Sequence, residues 1–399
     1  MQRREFLIYS VNLILLLAKP GLGMPREQET TRQNNPVTLF LCGDVMTGRG
    51  IDQVMPFPSN PRLHEPYVTD ARQYVEIAEE TNGPIRKPVS FSYIWGDILP
   101  EFSRADVRII NLETSVTTSD DYERGKGINY RMQPGNIPCI TTAGIDCCVL
   151  ANNHVLDWGR AGLAETIKTL RDAAIKTAGA GDNLEQAQAP AIMPVADKGR
   201  VLVFSFGMQS SGVPREWAAT DKHPGVNFLN DFSHSSVQRI SRQVQEVRRP
   251  GDIVVASIHW GENWGYDIPG EQIRFAHQII DSAGVDIVHG HSSHHVKAIE
   301  VYKNRPVFYG CGDFLNDYEG ISGYEHYRDD LALMYFVTMG TVNRELLNLE
   351  MVPVQVRRFQ LNHASTEDSM WLQRVLNREG KRFSNHVQLT KDNTLSLRW

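Results

Sequence analysis

Short apolar runs alternate with amphipathic segments along most of the chain. Apolar runs predict buried strands over residues 37–42, 107–110, 147–151, 201–206, 252–258, 285–288 and 306–309. Apolar positions that recur at helical spacing predict helices over residues 92–102, 163–174, 237–247, 271–283 and 367–378. The alternation of strands with helices predicts an α/β domain that contains parallel strands.

Three further stretches complete this picture. Residues 331–338 and 347–355 are apolar, and we expect them to form strands of a second sheet that pair with each other late in the chain. Residues 56–90 are rich in proline and polar groups, which predicts a long surface excursion, and residues 119–136 predict another polar loop. The second loop carries cations that could reach an anionic substrate or lie on the surface.

The N-terminus has the pattern of an export signal. Arg3 and Arg4 precede an apolar run over residues 7–18, which ends before Lys19 and a small-residue segment. We expect a signal peptide over residues 1–23 that resembles a twin-arginine signal, with an ordinary signal or an uncleaved anchor as the alternative. A polar linker over residues 24–36, one domain over 37–360, and a C-terminal helix-and-strand extension over 361–399 packed on that domain complete the expected organisation.

Composition and charge limit the classes of function. The chain has 399 residues, 41% of them hydrophobic and 22% charged, which is typical of a globular protein with a sizeable core. The formal net charge of −6 argues against a nucleic-acid partner. The 5 cysteines are odd in number, and most lie in or beside apolar runs, so we expect buried free thiols rather than a disulfide framework.

Polar side chains with metal-ligand chemistry follow several of the predicted strands. Asp44 comes directly after the first strand, Glu113 after the second, and Asn152, Asn153 and His154 after the third. Because ligand sites of open α/β sheets lie at the carboxyl ends of their strands, we expect these groups to converge. Taken singly, each has an ordinary explanation, such as a helix cap for Asp44 or an exposed loop position for Glu113.

Two later strands end in histidine. His259 follows the strand over 252–258, and four histidines lie within residues 289–295. Imidazole nitrogens bind transition metals, and carboxylate or amide oxygens commonly complete such sites. A histidine-rich surface tract is the alternative, but the other strand-end residues favour a metal site.

The ordered motifs resemble a known family. Gly43-Asp44-x-Met46, Asn111-Leu112-Glu113, Asn152-Asn153-His154, His259-Trp260-Gly261 and Gly290-His291…His294-His295-Val296 resemble the capsule synthesis protein CapA family over residues of about 37 to 360. That family supports production of poly-γ-glutamate capsule. The resemblance implies an α/β fold of the metallophosphoesterase type: a four-layer αββα sandwich of two mixed β-sheets flanked by helices.

The resemblance also implies roles for individual residues. Asp44 would hold one metal, Glu113 would take the place of the bridging carboxylate, and Asn153 and His259 would bind a second metal. His291 would supply a further imidazole, and either His294 or His295 another. His154 would protonate the leaving group or stabilise charge in the transition state.

Three departures from the pattern of metallophosphoesterases bear on the metals. Met46 stands where that superfamily has a histidine, and a thioether is a poor ligand for hard cations such as Mn²⁺. Glu113 is one methylene longer than aspartate, and the last motif carries an extra residue. We therefore expect two divalent ions (Mn, Fe or Zn), or one if Met46 weakens the first position.

Groups around the motifs are candidates for substrate binding and support. We expect contacts with an anionic polymer or its precursor from Arg49, Arg131, Arg160 and Trp260. Surface cations and, for Trp158 and Trp260, core packing are the alternatives. Asp157 would orient His154 or cap the following helix, and Asp313 would support the metal ligands from behind.

These expectations give two hypotheses about function. The first is an exported metal-dependent hydrolase or transferase that acts on an amide or phosphoester in poly-γ-glutamate synthesis or processing. The second is a non-enzymatic accessory protein that binds the polymer or a membrane synthase partner and keeps a vestigial metal site. Either protein would act in the periplasm, cell envelope or extracellular space, with anchorage if the N-terminal segment stays uncleaved.

Overall fold

The computed structural model describes residues 35–399. The expected signal peptide over 1–23 and nearly all of the expected linker over 24–36 lie outside the described residues. Between residues 35 and 399, no helix is both long and apolar enough to cross a membrane.

Strands and helices follow one another along the described chain. The strands are β1 Val37–Val45, β2 Val107–Leu112, β3 Ser115–Val116, β4 Arg131–Met132, β5 Cys147–Val149, β6 Lys176–Ala178, β7 Ala180–Gly181, β8 Ala191–Val195, β9 Gly199–Gly207, β10 Gly225–Val226, β11 Ile253–His259, β12 Ile287–His291, β13 Ile299–Tyr302, β14 Arg305–Phe308, β15 Asp313–Leu315, β16 Leu331–Met339, β17 Leu346–Val356, β18 Leu361–His363, β19 His386–Leu389 and β20 Leu395–Arg398. The α-helices are α1 Arg49–Val54, α2 Arg72–Asn82, α3 Pro138–Thr142, α4 Gly159–Asp172, α5 Leu184–Gln188, α6 His234–Val247, α7 Gly270–Ala283 and α8 Thr366–Gly380. Segments of 3₁₀-helix cover Tyr93–Arg104, Pro134–Asn136, Gln209–Ser211, Arg215–Trp217, Glu325–Tyr327 and Lys381–Phe383.

Two mixed sheets form the centre of the domain. The first has the order β19-β20-β17-β16-β1-β2-β5-β6, with β15 beside β1 and β18 beside β17. The second has the order β13-β14-β12-β11-β9-β8. β1, β2, β5 and β6 run parallel in the first sheet, as β9, β11, β12 and β14 do in the second, and antiparallel strands flank both sets.

Apolar cores on both faces of each sheet show the layer order. Leu39 of β1 and Val255 of β11 belong to one buried cluster, which joins the two sheets face to face. Leu163 of α4 packs in the core on the outer face of the first sheet, and Ile240 of α6 and Phe275 of α7 pack on the outer face of the second. This arrangement is the four-layer αββα sandwich expected from the sequence. The five cysteines are buried and free, as predicted.

Two expectations about the elements were wrong. β16 and β17 pair with each other as expected, but they belong to the first sheet and not to a second one, because β16 lies antiparallel beside β1, with Val37 paired to Met339. The proline-rich excursion over 56–90 contains helix α2, which buries Tyr74 and Val75. For β16 the partner strand lies about 300 residues earlier in the chain, which local pattern cannot report. The residues that α2 buries do have helical spacing in the sequence.

The C-terminal residues extend the first sheet. β20 pairs with β17, and β19 pairs with β20. α8 places Leu372, Val375 and Leu376 in the apolar cluster that joins the sheets. Residues 361–399 therefore share the core of the domain.

The fold places the carboxyl end of β1 beside the first residue of β15. β15 runs parallel to β1, and Asp44 is paired with Asp313. A Cβ atom on Gly43 would lie 1.6 Å from the carbonyl oxygen of Gly312, so only glycine allows this approach. The glycine before Asp44 thereby places a second carboxylate beside it.

Candidate functional site: carboxylates and imidazoles at the strand ends

Three buried carboxylates meet where β1 and β2 end and β15 begins. Ligand oxygens of Asp44, Glu113 and Asp313, the carboxylate triad, all lie within 4.8 Å of one another. Asp44 Oδ1 accepts a hydrogen bond from Asn111 Nδ2 at 2.7 Å, and its Oδ2 accepts one from the backbone N–H of Ser292 at 3.1 Å. Asp313 is therefore a candidate ligand itself, whereas the sequence suggested only a supporting role.

A second group adds two imidazoles from the other sheet. Ligand atoms of Asp44, His259 and His291, the imidazole group, also lie within 4.8 Å of one another. His259 Nδ1 and His291 Nδ1 are 2.7 Å apart, and His259 Nε2 is 3.0 Å from Asn153 Oδ1 and 3.6 Å from Glu113 Oε1. Asp44 thus belongs to both groups, and Glu113, a member of the carboxylate triad, lies beside His259 of the imidazole group.

The electrostatics of these groups suit a cation. Burial, and then the charge of Asp313, raise the pKa of Asp44 to about 7. Burial, followed by the charges of Asp44 and Asp313, raises the pKa of Glu113 well above its usual value. Burial lowers the pKa of His259 and His291 well below the ordinary range, which keeps both imidazoles neutral and able to bind a metal. Mutually repelling carboxylates beside neutral imidazoles form a donor set that fits a divalent metal ion.

The structure separates the two histidines that the sequence could not rank. His294 Nδ1 lies 2.9 Å from Asp313 Oδ1, at the edge of the carboxylate triad. The ring of His295 stacks instead on Tyr327, with 4.4 Å between ring centroids, and its Nδ1 is paired with the carbonyl of Val296. Of the pair, His294 is the residue placed to act at the site.

Two residues of the motifs, Met46 and His289, make contacts that hold the fold together. Met46 is buried, belongs to neither ligand group, and its sulfur accepts the backbone N–H of Gly48 at 3.1 Å. His289 links the sheets, because its Nε2 lies 2.7 Å from the carbonyl oxygen of Cys42 and its Nδ1 lies 3.0 Å from Ser257 Oγ. Neither side chain is available as a ligand in this arrangement.

His154 is held with one ring nitrogen toward the carboxylates. Its Nδ1 lies 2.6 Å from Asp157 Oδ2, and Tyr130 stacks on its ring with centroids 3.9 Å apart. Its Nε2 is 3.9 Å from Glu113 Oε1. Burial lowers the pKa of His154 to about 4, although the charge of Asp157 acts in the opposite direction. Because Nδ1 donates a hydrogen bond to the carboxylate of Asp157, the neutral ring presents its Nε2 lone pair to the site.

Two more residues hold this arrangement together. Lys126 donates to Asp157 Oδ1 at 2.5 Å and to the carbonyl oxygen of Asn153. Asn152 donates to Asn111 Oδ1 at 3.0 Å, and its own Oδ1 accepts the backbone N–H of His154 at 3.1 Å. The role of Lys126 was not predictable, since it comes from the polar loop over 119–136, far along the chain from its partners.

Arg49 lies in the wall of the site but is already paired. The guanidinium donates to Asp317 and, at 3.2 Å, to Glu65 Oε1, and all three side chains are buried. Arg49 also has a positive φ of 44°, which is uncommon for a residue other than glycine. Because Asp317 and Glu65 both pair with the guanidinium, two carboxylates of this chain neutralise the charge of Arg49.

Replacing Arg49 by methionine should destabilise the fold by about 3–5 kcal/mol, because Asp317 and Glu65 would remain buried without a cation. Urea unfolding measures this change. Lys168→Met is the matched control, since the pair between Lys168 and Asp172 is exposed and should contribute less than about 1 kcal/mol. Equal losses in the two variants would contradict this account of Arg49.

The other residues expected to contact substrate are engaged by groups of this chain. Arg131 stacks over Trp158 with 3.8 Å to the ring centroid, and it donates to the carbonyl of Ser119 at 2.8 Å. Arg160 is exposed and donates to the carbonyl of Pro224 at 2.9 Å. Trp260 is 2% exposed and its indole N–H donates to the carbonyl of Tyr309, so its position does not agree with a substrate contact.

Known proteins with similar sequences are described as polyglutamine synthesis or capsule biosynthesis proteins. A "Probable polyglutamine synthesis accessory protein" of Mycobacterium tuberculosis (strain ATCC 25618 / H37Rv) is 43% identical over 364 residues, covering 90% of this chain and 96% of that protein. The "Capsule biosynthesis protein CapA" of Bacillus anthracis is 26% identical over 307 residues, covering 76% of this chain and 64% of that protein.

A solved structure, titled as a novel phosphatase of Mycoplasma pneumoniae, is 12% identical with a TM-score of 0.44, and the match covers 81% of this chain and 94% of that one. This likeness is too distant to bear on the site. Residues 38–318 match the family described as bacterial capsule synthesis protein PGA_cap. Together with the 43% identity to the mycobacterial protein, this match shows that the chain belongs to the bacterial capsule synthesis protein family.

Proposed function

We propose that this chain acts in the synthesis or processing of poly-γ-glutamate or a related capsule polymer, as a metal-dependent hydrolase or transferase. Its family and the names of its relatives support the polymer role. The buried carboxylate triad, which joins the imidazole group at Asp44, is the observation that supports a chemical role. The polymer or its precursor and a membrane synthase are the proposed partners.

We propose two metal positions in this site. The carboxylate triad would hold one ion and the imidazole group the other, with Asp44 shared between them and Asn153 and His294 beside them. Carboxylates suit Mn²⁺, and imidazoles suit Zn²⁺ or iron. Such ions would polarise the scissile group of the substrate and lower the pKa of a bound water.

His154 is the proposed acid–base residue. With Nδ1 paired to Asp157, the ring takes up and returns a proton at Nε2, which faces Glu113. Lys126 fixes Asp157, and Tyr130 covers the ring of His154, so the imidazole has little freedom to rotate. These contacts orient the proton transfer toward the carboxylate triad.

Met46 gives the second candidate function a specific basis. Its buried sulfur accepts a backbone N–H, so it supplies no ligand where metallophosphoesterases have a histidine. In this second candidate the chain is an accessory protein that binds polymer or a synthase without catalysis. Asp313 favours the first candidate, because it supplies a carboxylate to the triad.

The two candidates differ in the effect of His154→Gln. The full chain, supplied with Mn²⁺ or Zn²⁺, is incubated with γ-glutamyl amides and with phosphoesters, and hydrolysis is measured with and without chelator. If the chain is an enzyme, we expect turnover that chelator abolishes and that falls about 10²- to 10⁴-fold in His154→Gln. The metal content of the variant should stay unchanged. Thr118→Val, which changes an exposed residue of the same region whose hydroxyl bonds to Glu165, is the control. Turnover equal in His154→Gln and wild type would contradict the proposed role of this residue.

Export of the protein is also part of this proposal. The paired arginines and the apolar run before residue 24 support it. A reporter fused after residue 36, which is active only outside the cytoplasm, should depend on Arg3 and Arg4. Export that persists with both arginines replaced by lysine would contradict the twin-arginine route and favour an ordinary signal.

A further inference from the structure

A cleft with aromatic and aliphatic walls opens beside the candidate metal site. It has a volume of about 480 Å³, and His294, at the edge of the carboxylate triad, lies on its floor. Trp264 and Tyr324 stack on each other along one wall with ring centroids 3.9 Å apart. We call this space the aromatic cleft, and its apolar walls are formed chiefly by Tyr67, Ile128, Trp264, Ile321 and Tyr324.

Several large apolar side chains around this cleft are exposed to solvent. Tyr67 is 96% exposed, and Ile128, Ile321 and Tyr324 are 41%, 44% and 44% exposed. Single exposed apolar residues are common, but several that gather around one cleft mark a binding site. Because the cleft adjoins His294, its occupant should be part of the molecule that reaches the metal site.

The charges of the cleft do not suit a polyanion. Within residues 35–399, Arg49 is the one arginine or lysine among the groups that line it, and Asp317 and Glu65 neutralise that charge. Asp329 adds a carboxylate to the lining, and the charges of Asp313 and Asp330 lie near it. A stretch of γ-glutamate carboxylates would meet repulsion here rather than a counter-charge.

Several of the hydrogen-bonding side chains of the cleft are already paired within the chain, which argues against a sugar. Glu65 is paired with Arg49 and Tyr74, Asn263 Nδ2 lies 2.9 Å from His294 Nε2, and the hydroxyl of Tyr318 is paired with that of Tyr130. Hydroxyl groups of a sugar would lose water without gaining enough partners. A single aromatic ring is too small, since an apolar cavity of about 150 Å³ already holds benzene.

We propose that the aromatic cleft binds the hydrocarbon chain of an amphiphilic substrate, whose polar head carries the reacting bond to the metal site beside His294. This inference rests on the proposed function only where it places the polar head of the substrate at the metal site. The chain would cover Ile128, Ile321 and the Trp264–Tyr324 stack. Substrate selection would then depend on apolar contact in this cleft, and any polyanionic part of the substrate would lie outside it.

Chain-length dependence of binding tests this proposal. Dodecyl phosphate and butyl phosphate, each below its micellar concentration, compete with the uncharged fluorescent probe N-phenyl-1-naphthylamine for the full-length protein. Each buried methylene should tighten binding about fourfold, so dodecyl phosphate should bind at least about tenfold more tightly than butyl phosphate. The double variant Ile128→Ser/Ile321→Ser should lose most of this preference.

Two controls separate the cleft from other causes. Leu347→Ser changes an aliphatic residue that is 42% exposed on β17 and outside the cleft, and it should keep the preference for the longer chain. His259→Ala should weaken the metal site yet keep the binding of the uncharged probe, so failure of the proposed metal site would be distinguishable from failure of the cleft. The proposal is overturned if chain length has no effect, if the serine variant keeps the preference, or if tri-γ-glutamate or cellotriose displaces the probe as well as dodecyl phosphate.

Discussion

Replacing Asp44 by asparagine is expected to abolish the rise in thermal stability that Mn²⁺ or Zn²⁺ gives to the unaltered protein. Asp44 belongs to both the carboxylate triad and the imidazole group, so one substitution affects every ligand set identified in residues 35–399. A ligand that binds only the folded state stabilises it by about 2.7 kcal/mol at a concentration of 100 times Kd. Thermal unfolding with added metal and with chelator measures this difference.

Asp172→Asn is the control for this experiment. Asp172 lies at the exposed end of α4 and is paired with Lys168, so its loss should leave the metal-induced shift unchanged. In chelator, Asp44→Asn should be at least as stable as the unaltered protein, because it removes one of three repelling buried acids. A metal-induced shift of normal size in Asp44→Asn would show that the ions bind at another place.

Gly43→Ala should be among the most destabilising single substitutions in this chain. The added methyl carbon would lie 1.6 Å from the carbonyl oxygen of Gly312 and 3.0 Å from the carbonyl carbon of Cys311. Both contacts are with backbone, so relief requires β15 to move away from β1 and Asp313 to move away from Asp44. We expect a loss of more than about 5 kcal/mol in the free energy of unfolding, or failure to fold.

Gly380→Ala provides the matched control. Gly380 is the last residue of α8, and a Cβ atom there would have nothing within 4 Å. This substitution should leave stability unchanged or raise it by up to about 1 kcal/mol, because alanine favours helix more than glycine does. Urea unfolding of both variants gives the comparison, and a Gly43→Ala loss below about 1 kcal/mol would contradict the close approach of β15.

Much of the candidate site was predictable, because its residues follow the carboxyl ends of parallel strands. Asp44, Glu113, Asn153, His259 and His291 each come at or just after the end of a buried apolar run, and such ends meet at one edge of a sheet. The structure brings these five residues together. The amphipathic helices and the apolar strands were also identifiable, since burial on one face leaves a clear period in the sequence.

Other features depend on contacts that local pattern does not encode. Asp313 reaches the triad because β15 pairs with β1, and that pairing depends on Gly43, about 270 residues earlier along the chain. His294 and His295 are adjacent in sequence, and the loop that begins at Ser292, with its positive φ of 107°, determines which of them faces the site. The same limit applies to β16, whose partner across the sheet is β1.

The aromatic cleft is another feature of long-range origin. Ile128, Trp264 and Tyr324 come from three separate loops, none of which has a periodic pattern. The sequence instead drew attention to Trp158 and Trp260, because they lie beside the motifs, and both are buried in the fold. Nearness in sequence to the motifs thus did not identify the side chains that line the cleft.

Metal content of the full chain, purified without chelator and reconstituted with Mn²⁺, iron or Zn²⁺, tests the central claim most directly. Elemental analysis should find about two equivalents in the unaltered protein. Asp313→Asn and His259→Ala should each retain about one, since each removes a ligand from a different group. A folded, unaltered protein that binds no metal after reconstitution would contradict the metal site and leave the accessory role.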